Sequence, residues 1–275
     1  MSGGPAAGAL RRPLPQPGHR AAGTPAGPVL VGVGVGPGDP ELVTVKAVRV
    51  LREADLVLVP APARRRGRPG DQDGEQGRAE ATVRAHAGHD RIRRVAVALA
   101  ERGGRCREAA WNGAAAEVAR AFGDGAGVVA FATIGDPNVY STFTYLAAAV
   151  RASLPGVGIA TVPGITAMQD LAARSGTVLC QGQETLALLP LTAGVPAFAA
   201  ALAAHDTVVG YKSGRRLPEA LAAVRAAGRL DGAVHGACLG LPGEDIRPAA
   251  EVDGPAPYLS ALLVPAGRRG RGGRP

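Results

Sequence analysis

Three times before residue 176, the chain runs from an apolar stretch into a Gly/Pro turn and out into a helical pattern. The first stretch is 29–35, Val-Leu-Val-Gly-Val-Gly-Val, followed by Gly36-Pro-Gly-Asp-Pro40. The second is 127–134, which enters Gly135-Asp-Pro137, and the third is 157–162, which enters Pro163-Gly-Ile-Thr166. Apolar, β-branched runs this short, stopped by turn residues, read as buried strands. Strand, tight turn and helix repeated in that order imply a mostly parallel sheet covered by helices on both faces, an α/β class fold. Ligands of such sheets sit beyond the carboxyl ends of the strands. The three turns are therefore expected to share one edge.

The elements between them follow the same grammar. After the first turn Asp39 reads as a helix N-cap, with Pro40 at the first helical position and Leu42, Val45, Val48 and Leu51 at helical spacing. A second strand is expected at 55–59, stopped by Pro60, and a third at 92–99. Helices are expected at 78–88, 108–122, 140–152 and 166–175. Beyond 177 the pattern gives strands at 185–189, 206–211, 234–239 and 258–264, with helices at 195–204 and 217–227. The stretch 258–264 reads as a late, central strand. Two α/β domains follow, 29–176 and 177–265, with mostly parallel and mixed sheets. The segments 1–28 and 266–275 read as disordered tails, and 61–77 as a mobile loop.

The formal charge of +8 first points to nucleic acid, but Arg11, Arg12 and Arg20 near one end and Arg268, Arg269, Arg271 and Arg274 at the other supply most of it. The body between is close to neutral, without the stripe of basic residues on regular elements that a nucleic-acid surface requires. Cys106, Cys180 and Cys238 are odd in number and lack CxxC spacing, so neither a disulfide framework nor a zinc site is expected, and a reducing cytoplasm fits. No apolar run is long enough to span a membrane, and Pro5, Pro13, Pro15 and Pro17 stand where a signal peptide needs an apolar core. His86 and His89 are spaced i,i+3 with no third ligand nearby, so no metal is expected.

Each turn has its own chemistry. The glycines of the first, Gly32, Gly34, Gly36 and Gly38, fall every second residue, not in the G-x-G-x-x-G spacing of a dinucleotide site. Val59-Pro60 occupies the place of the acidic residue that would hold a ribose, so a dehydrogenase fits poorly. No Lys-Ser/Thr pair makes a P-loop. In the second turn Gly135 lets backbone approach a ligand and Asp136 offers an acceptor. In the third, the helix N-terminus offers amides to a carboxylate or an adenine. Each turn, taken alone, also reads as an ordinary strand-to-helix connection.

Together the turns resemble a family. The run from Val31 to Leu51, with Gly36-Pro-Gly-Asp39 at its centre, is similar to the opening signature of the tetrapyrrole methylases. Gly135-Asp-Pro137 resembles that family's second loop, and Pro163-Gly-Ile-Thr-Ala167 its third, in the same order. The continuation Asn138-Val-Tyr-Ser-Thr-Phe-Thr-Tyr145, the block Met168-Gln-Asp170, Gly210-Tyr-Lys212, Gly77-Arg-Ala-Glu-Ala81 and Trp111 are similar to the members that methylate C20 of precorrin-2 or of cobalt-factor II. The resemblance implies a cytoplasmic homodimer with S-adenosylmethionine in a cleft between two α/β domains and a tetrapyrrole substrate. Matched onto this sequence, it implies Pro37, Gly135, Asp136, Val139, Thr142, Thr166, Ala167, Tyr211 and Lys212 as cofactor-binding residues. Asp39, at the mouth of the first turn, is the expected proton acceptor, and Lys46, Arg84 and Lys212 are candidate partners for the substrate's carboxylates. Methylation of another ring position or of ribosomal RNA on the same fold, and a non-catalytic nucleotide-binding module, are the alternatives.

Overall fold

The computed structural model describes residues 27–61, 77–96 and 104–268. Nearly all of the expected tail at 1–28 and loop at 61–77, together with 97–99 and 269–275, lies outside the described residues.

Five strands, β1 (Val29–Gly34), β2 (Leu56–Ala61), β3 (Ile92–Ala96), β4 (Val128–Thr133) and β5 (Gly158–Val162), form one sheet in the order β3-β2-β4-β1-β5. All four pairings are parallel. The period-two alternation of a strand decides what each face meets. Val31, Val33, Val128, Ala130 and Ala132 pack under α1 (Val45–Glu53) and α2 (Arg78–His86). Leu30, Val129 and Phe131 face α3 (Gly104–Gly123) and α4 (Phe143–Ser153) on the other side. Gly32 lies on that second face because the Phe143 ring occupies the space, and a Cβ there would stand 2.5 Å from it. Neighbouring strands β1 and β4 thus send their chains to helices on opposite faces. A crevice opens at the carboxyl ends of such a strand pair, the place where open α/β sheets bind ligands.

The second sheet runs β6-β7-β10-β8-β9, from β6 (Leu186–Pro190), β7 (Thr207–Tyr211), β8 (Val234–Ala237), β9 (Asp245–Pro248) and β10 (Ser260–Val264). Its β6–β7 pair is parallel and the others antiparallel, so the sheet is mixed, with β10 at its centre as expected. Helices α6 (Val195–Ala204) and α7 (Leu217–Ala226) cover one face.

Three expectations change. The first-turn helix is two pieces: Asp39 caps only a short 3-10 turn at Pro40–Leu42, and α1 starts afresh from Thr44, whose Oγ1 accepts from Ala47 N at 3.2 Å. The helix α5 (Ala167–Ser175), expected in the first domain, buries Leu171 and Ala172 against Val209, Ala261 and Leu263 of the second sheet. The buried face of α5 therefore packs with the second sheet, although the helix precedes the expected boundary at 176. The expected tail also starts later than 266: Ala266 N donates to Thr207 Oγ1 at 3.0 Å, and Arg268 pairs with Glu184.

His235 on β8 is 2% exposed and neither ring nitrogen has a hydrogen-bond partner among the described residues. Burial holds the imidazole below its usual 6.5, while Asp245 pulls it up and Arg247 pushes it down. The folded chain then binds fewer protons than the unfolded one below that pH. Stability from this group is intact above about 6.5 and declines with falling pH by at most about 1.4 kcal/mol per unit. Urea unfolding at neutral and mildly acidic pH should show a steeper acid loss for the parent than for His235→Leu. Equal slopes would remove His235 as the cause.

Candidate active site

The three turns meet through their backbones. Gly135 N donates to Gly36 O at 2.7 Å, and Val35 N donates to Thr133 O at 2.9 Å, joining the first turn to the second. Gly36 holds φ +76, and a Cβ there would lie 2.7 Å from Leu42 O, so only glycine suits it. Asp136 joins the second turn to the third: its Oδ1 accepts from Asn138 N at 2.7 Å and its Oδ2 from Gly164 N at 3.0 Å. Its first duty is thus to fix the loops, and each carboxylate oxygen keeps further lone-pair capacity.

The second sheet closes the edge. Tyr211, at the end of β7, accepts from Met168 N at 2.7 Å through its hydroxyl. Gln169 Oε1 accepts from Thr166 N at 2.9 Å, completing a capping box. These bonds consume amides that the sequence offered to a ligand at the α5 N-terminus. The loop after β8 presses on the first turn: an added Cβ at Gly38 would meet Leu239 O at 2.3 Å, and one at Gly240 would meet Asp39 N at 2.4 Å.

Between the sheets, the turns and the loops of the second sheet line a cavity of about 130 Å³. Pro37, Gly135, Asp136, Val139, Thr166, Ala167, Tyr211 and Lys212 all line it, so eight of the nine expected cofactor residues are brought together. Thr142 is not among the lining residues. It begins α4, where its carbonyl accepts from Tyr145 N at 3.2 Å.

Asp39 does not line the cavity either. Its Oδ1 accepts from Glu41 N at 2.8 Å and its Oδ2 faces Arg174 at 3.3 Å. Asp39 is thus placed as a brace between the first turn and α5, outside the cavity lining, where the sequence suggested a proton acceptor. Of the three cations considered for carboxylates, Lys46 is exposed on α1 and Arg84 pairs with Glu80 at 2.7 Å, whereas Lys212 reaches the cavity.

Sequence reasoning missed Ile134, Tyr140, Cys238, Leu239, Leu241 and Tyr258, all lining residues. Tyr140 carries φ +49 and donates its hydroxyl to Leu188 O at 3.0 Å. Burial pushes the phenols of both Tyr140 and Tyr211 above their usual 10.0, so both stay neutral hydrogen-bonding groups. Gly135, at φ +71, has nothing within 4 Å of an added Cβ, and it therefore presents bare backbone to open space. Among the described residues, no cluster of three or more His, Cys, Asp or Glu is placed to hold a metal ion. Nor is any described helix long and apolar enough to cross a membrane.

The family model for tetrapyrrole (corrin/porphyrin) methylases matches residues 29–252. The chain belongs to that family. Relatives within it include a precorrin-2 C(20)-methyltransferase of Sinorhizobium, 33% identical and aligned over 86% of this chain and 94% of its own length. A cobalt-precorrin-2 C(20)-methyltransferase of Salmonella typhimurium is 34% identical over 86% and 95%. Among solved structures, the methyltransferase CobJ superposes with a TM-score of 0.62 at 20% identity, covering 90% of this chain and 97% of its own. A uroporphyrin-III C-methyltransferase of Thermus thermophilus in complex with S-adenosylhomocysteine gives 0.54 at 20%, covering 86% and 96%. The two sheets are thus the family's fold.

Proposed function

We propose that the chain is an S-adenosylmethionine-dependent C-methyltransferase that acts on C20 of precorrin-2, or of its cobalt-bearing counterpart, in cobalamin biosynthesis. One observation carries this reading. Three loops with the family's sequence gather at one cavity, in a chain similar along most of its length to two proteins named for C20 methylation. The cavity suits the methyl donor. Bare backbone at Gly135 admits a close-packed ligand, and Ile134, Val139, Ala167, Leu239 and Leu241 give an apolar wall for an adenine. Asp136, with spare lone pairs, faces the same space for hydroxyl or ammonium groups.

S-adenosylmethionine, when bound, supplies a methyl group already activated on a sulfonium. The chain's own residues are then required mainly to position and to exclude water. Asp136 and the glycines hold the loops rigid. Leu239, Leu241 and Leu259 cover the cavity from the second sheet. Neutral Tyr140 and Tyr211 add no negative charge that would compete for the donor's cation. The electron-rich meso carbon of a reduced macrocycle needs little help from a base, which agrees with the placement of Asp39 away from the cavity. A cytoplasmic homodimer belongs to the same reading, and the free thiols of Cys180 and Cys238 are in keeping with a reducing compartment.

Incubation with S-adenosylmethionine and each of precorrin-2 and cobalt-factor II should add one methyl group to one of them. Mass spectrometry with carbon NMR should place it at C20. Methylation at another ring carbon, or of neither macrocycle, would overturn the assignment.

A further inference from the structure

Among the described residues only Tyr140, Lys212 and Cys238 are non-glycine residues in the left-handed backbone region, and all three line the cavity. Such a conformation strains an ordinary side chain where glycine would be relaxed, and strain of this kind gathers at functional sites. At Lys212, φ is +59, and its N–H is fixed by donation to Ser260 O at 3.1 Å. The side chain leaves this held backbone and passes between two aromatic rings. Its Nζ stands 5.5 Å from the Tyr140 ring centroid and 5.9 Å from that of Tyr258. Tyr140 and Tyr258 are 43% and 55% exposed and both line the cavity, so the residues that flank the ammonium also reach solvent.

No carboxylate of the described residues pairs with Lys212. Two tyrosine faces orient a cation at an exposed site without neutralising it. An uncompensated, pre-aimed ammonium beside an apolar cavity is a receptor for an anion. A sulfonium, itself a cation, is not what it recruits.

Resting on the methyl-transfer reading above, we infer that Lys212 is a carboxylate anchor, and that the carboxylate is one of the macrocycle's acetate or propionate arms. Of the two roles the sequence allowed Lys212, cofactor residue and partner of a substrate carboxylate, this inference takes the second. The donor's amino-acid carboxylate has the same chemistry, but the solvent-reaching tyrosines on either side of the ammonium favour the larger, outer ligand. Tyr140 and Tyr258 act as positioning residues that keep the ammonium from swinging into solvent. A charge-assisted hydrogen bond of this kind is worth about 1.5–3 kcal/mol.

The test compares Lys212→Asn, which tolerates the left-handed backbone without the charge, with Lys212→Arg, which keeps the charge. For Lys212→Asn the KM for precorrin-2 or cobalt-factor II should rise about tenfold to a hundredfold. Its affinity for S-adenosylhomocysteine by calorimetry, and its melting temperature, should match the parent. Added salt should raise the parent's KM more than the variant's, and Lys212→Arg should recover most of the loss. Weaker S-adenosylhomocysteine binding with an unchanged macrocycle KM would assign the anchor to the donor and overturn the macrocycle assignment. No change in either would overturn the anchor altogether. Failure of the unsubstituted chain to bind S-adenosylhomocysteine is a separate outcome, and it would overturn the methyl-transfer reading on which the inference rests.

Discussion

Gly164→Ala should cost the fold about 3 kcal/mol and remove measurable S-adenosylhomocysteine binding. A Cβ at 164 would lie 2.1 Å from Gly135 O, 2.8 Å from Gly34 Cα and 2.9 Å from Gly34 C. These are backbone atoms of the other two turns, so no rotamer change relieves the overlap. The reverse holds as well: a Cβ at Gly34 would lie 2.5 Å from Gly135 O and 2.7 Å from Gly164 N. One methyl group would therefore push all three turns apart and break the Gly164 N to Asp136 bond of 3.0 Å that fixes the loops. Gly113 provides the control. It is exposed within α3, an added Cβ meets nothing within 4 Å, and Gly113→Ala should stabilise by about 0.5–1 kcal/mol. Denaturant unfolding and calorimetric titration read both variants. A Gly164→Ala chain with parental stability and binding would show that the turns do not depend on this contact.

The contrast between those two glycines shows what the sequence alone made legible. The apolar runs of β1 and β4, and the Gly/Pro turns after them, were readable because they depend on local pattern and chain direction. The meeting of the turns followed from topology, since strands that run parallel bring their carboxyl ends to one edge. β9 was not readable: Asp245-Ile-Arg-Pro248 offers one apolar residue, and an edge strand tolerates charge and proline. Cys238, Leu239, Leu241 and Tyr258 also left no local signal, because their loops reach the cavity only when the second sheet docks on the first turn. Tyr140 was hidden for a different reason. Its φ of +49 delays the helix expected from 140 until Phe143, and nothing in a Tyr-Ser-Thr sequence announces a left-handed residue. Asp39 was legible as a cap but not as a partner of Arg174, which lies 135 residues away.

Arg174→Met should destabilise the chain by about 3 kcal/mol and, separately, weaken S-adenosylhomocysteine binding. From α5 the guanidinium donates to Asp170 at 2.7 Å, and it also meets Asp39 at 3.3 Å and Glu244 at 3.1 Å. Asp170 is 4% exposed and its Oδ2 already has no hydrogen-bond partner among the described residues. Removal of Arg174 would leave a buried carboxylate without its counter-ion, which costs more than the pair contributes when intact. The guanidinium is 28% exposed, which places the loss at the lower end of the range for buried pairs. Asp170→Asn in the Arg174→Met background should therefore recover much of the stability, whereas Asp39→Asn in that background should recover little, because Asp39 is 30% exposed. Binding behaves differently. Glu244 accepts from Gly240 N at 2.6 Å, and Gly240 abuts Asp39, so Arg174 holds the loop that carries Leu239 and Leu241 against the first turn. The Asp170→Asn rescue restores the core without restoring that strap, so affinity should stay low after stability returns. Recovery of both together would mean that Arg174 serves the core alone, and that the second sheet closes over the cavity without it.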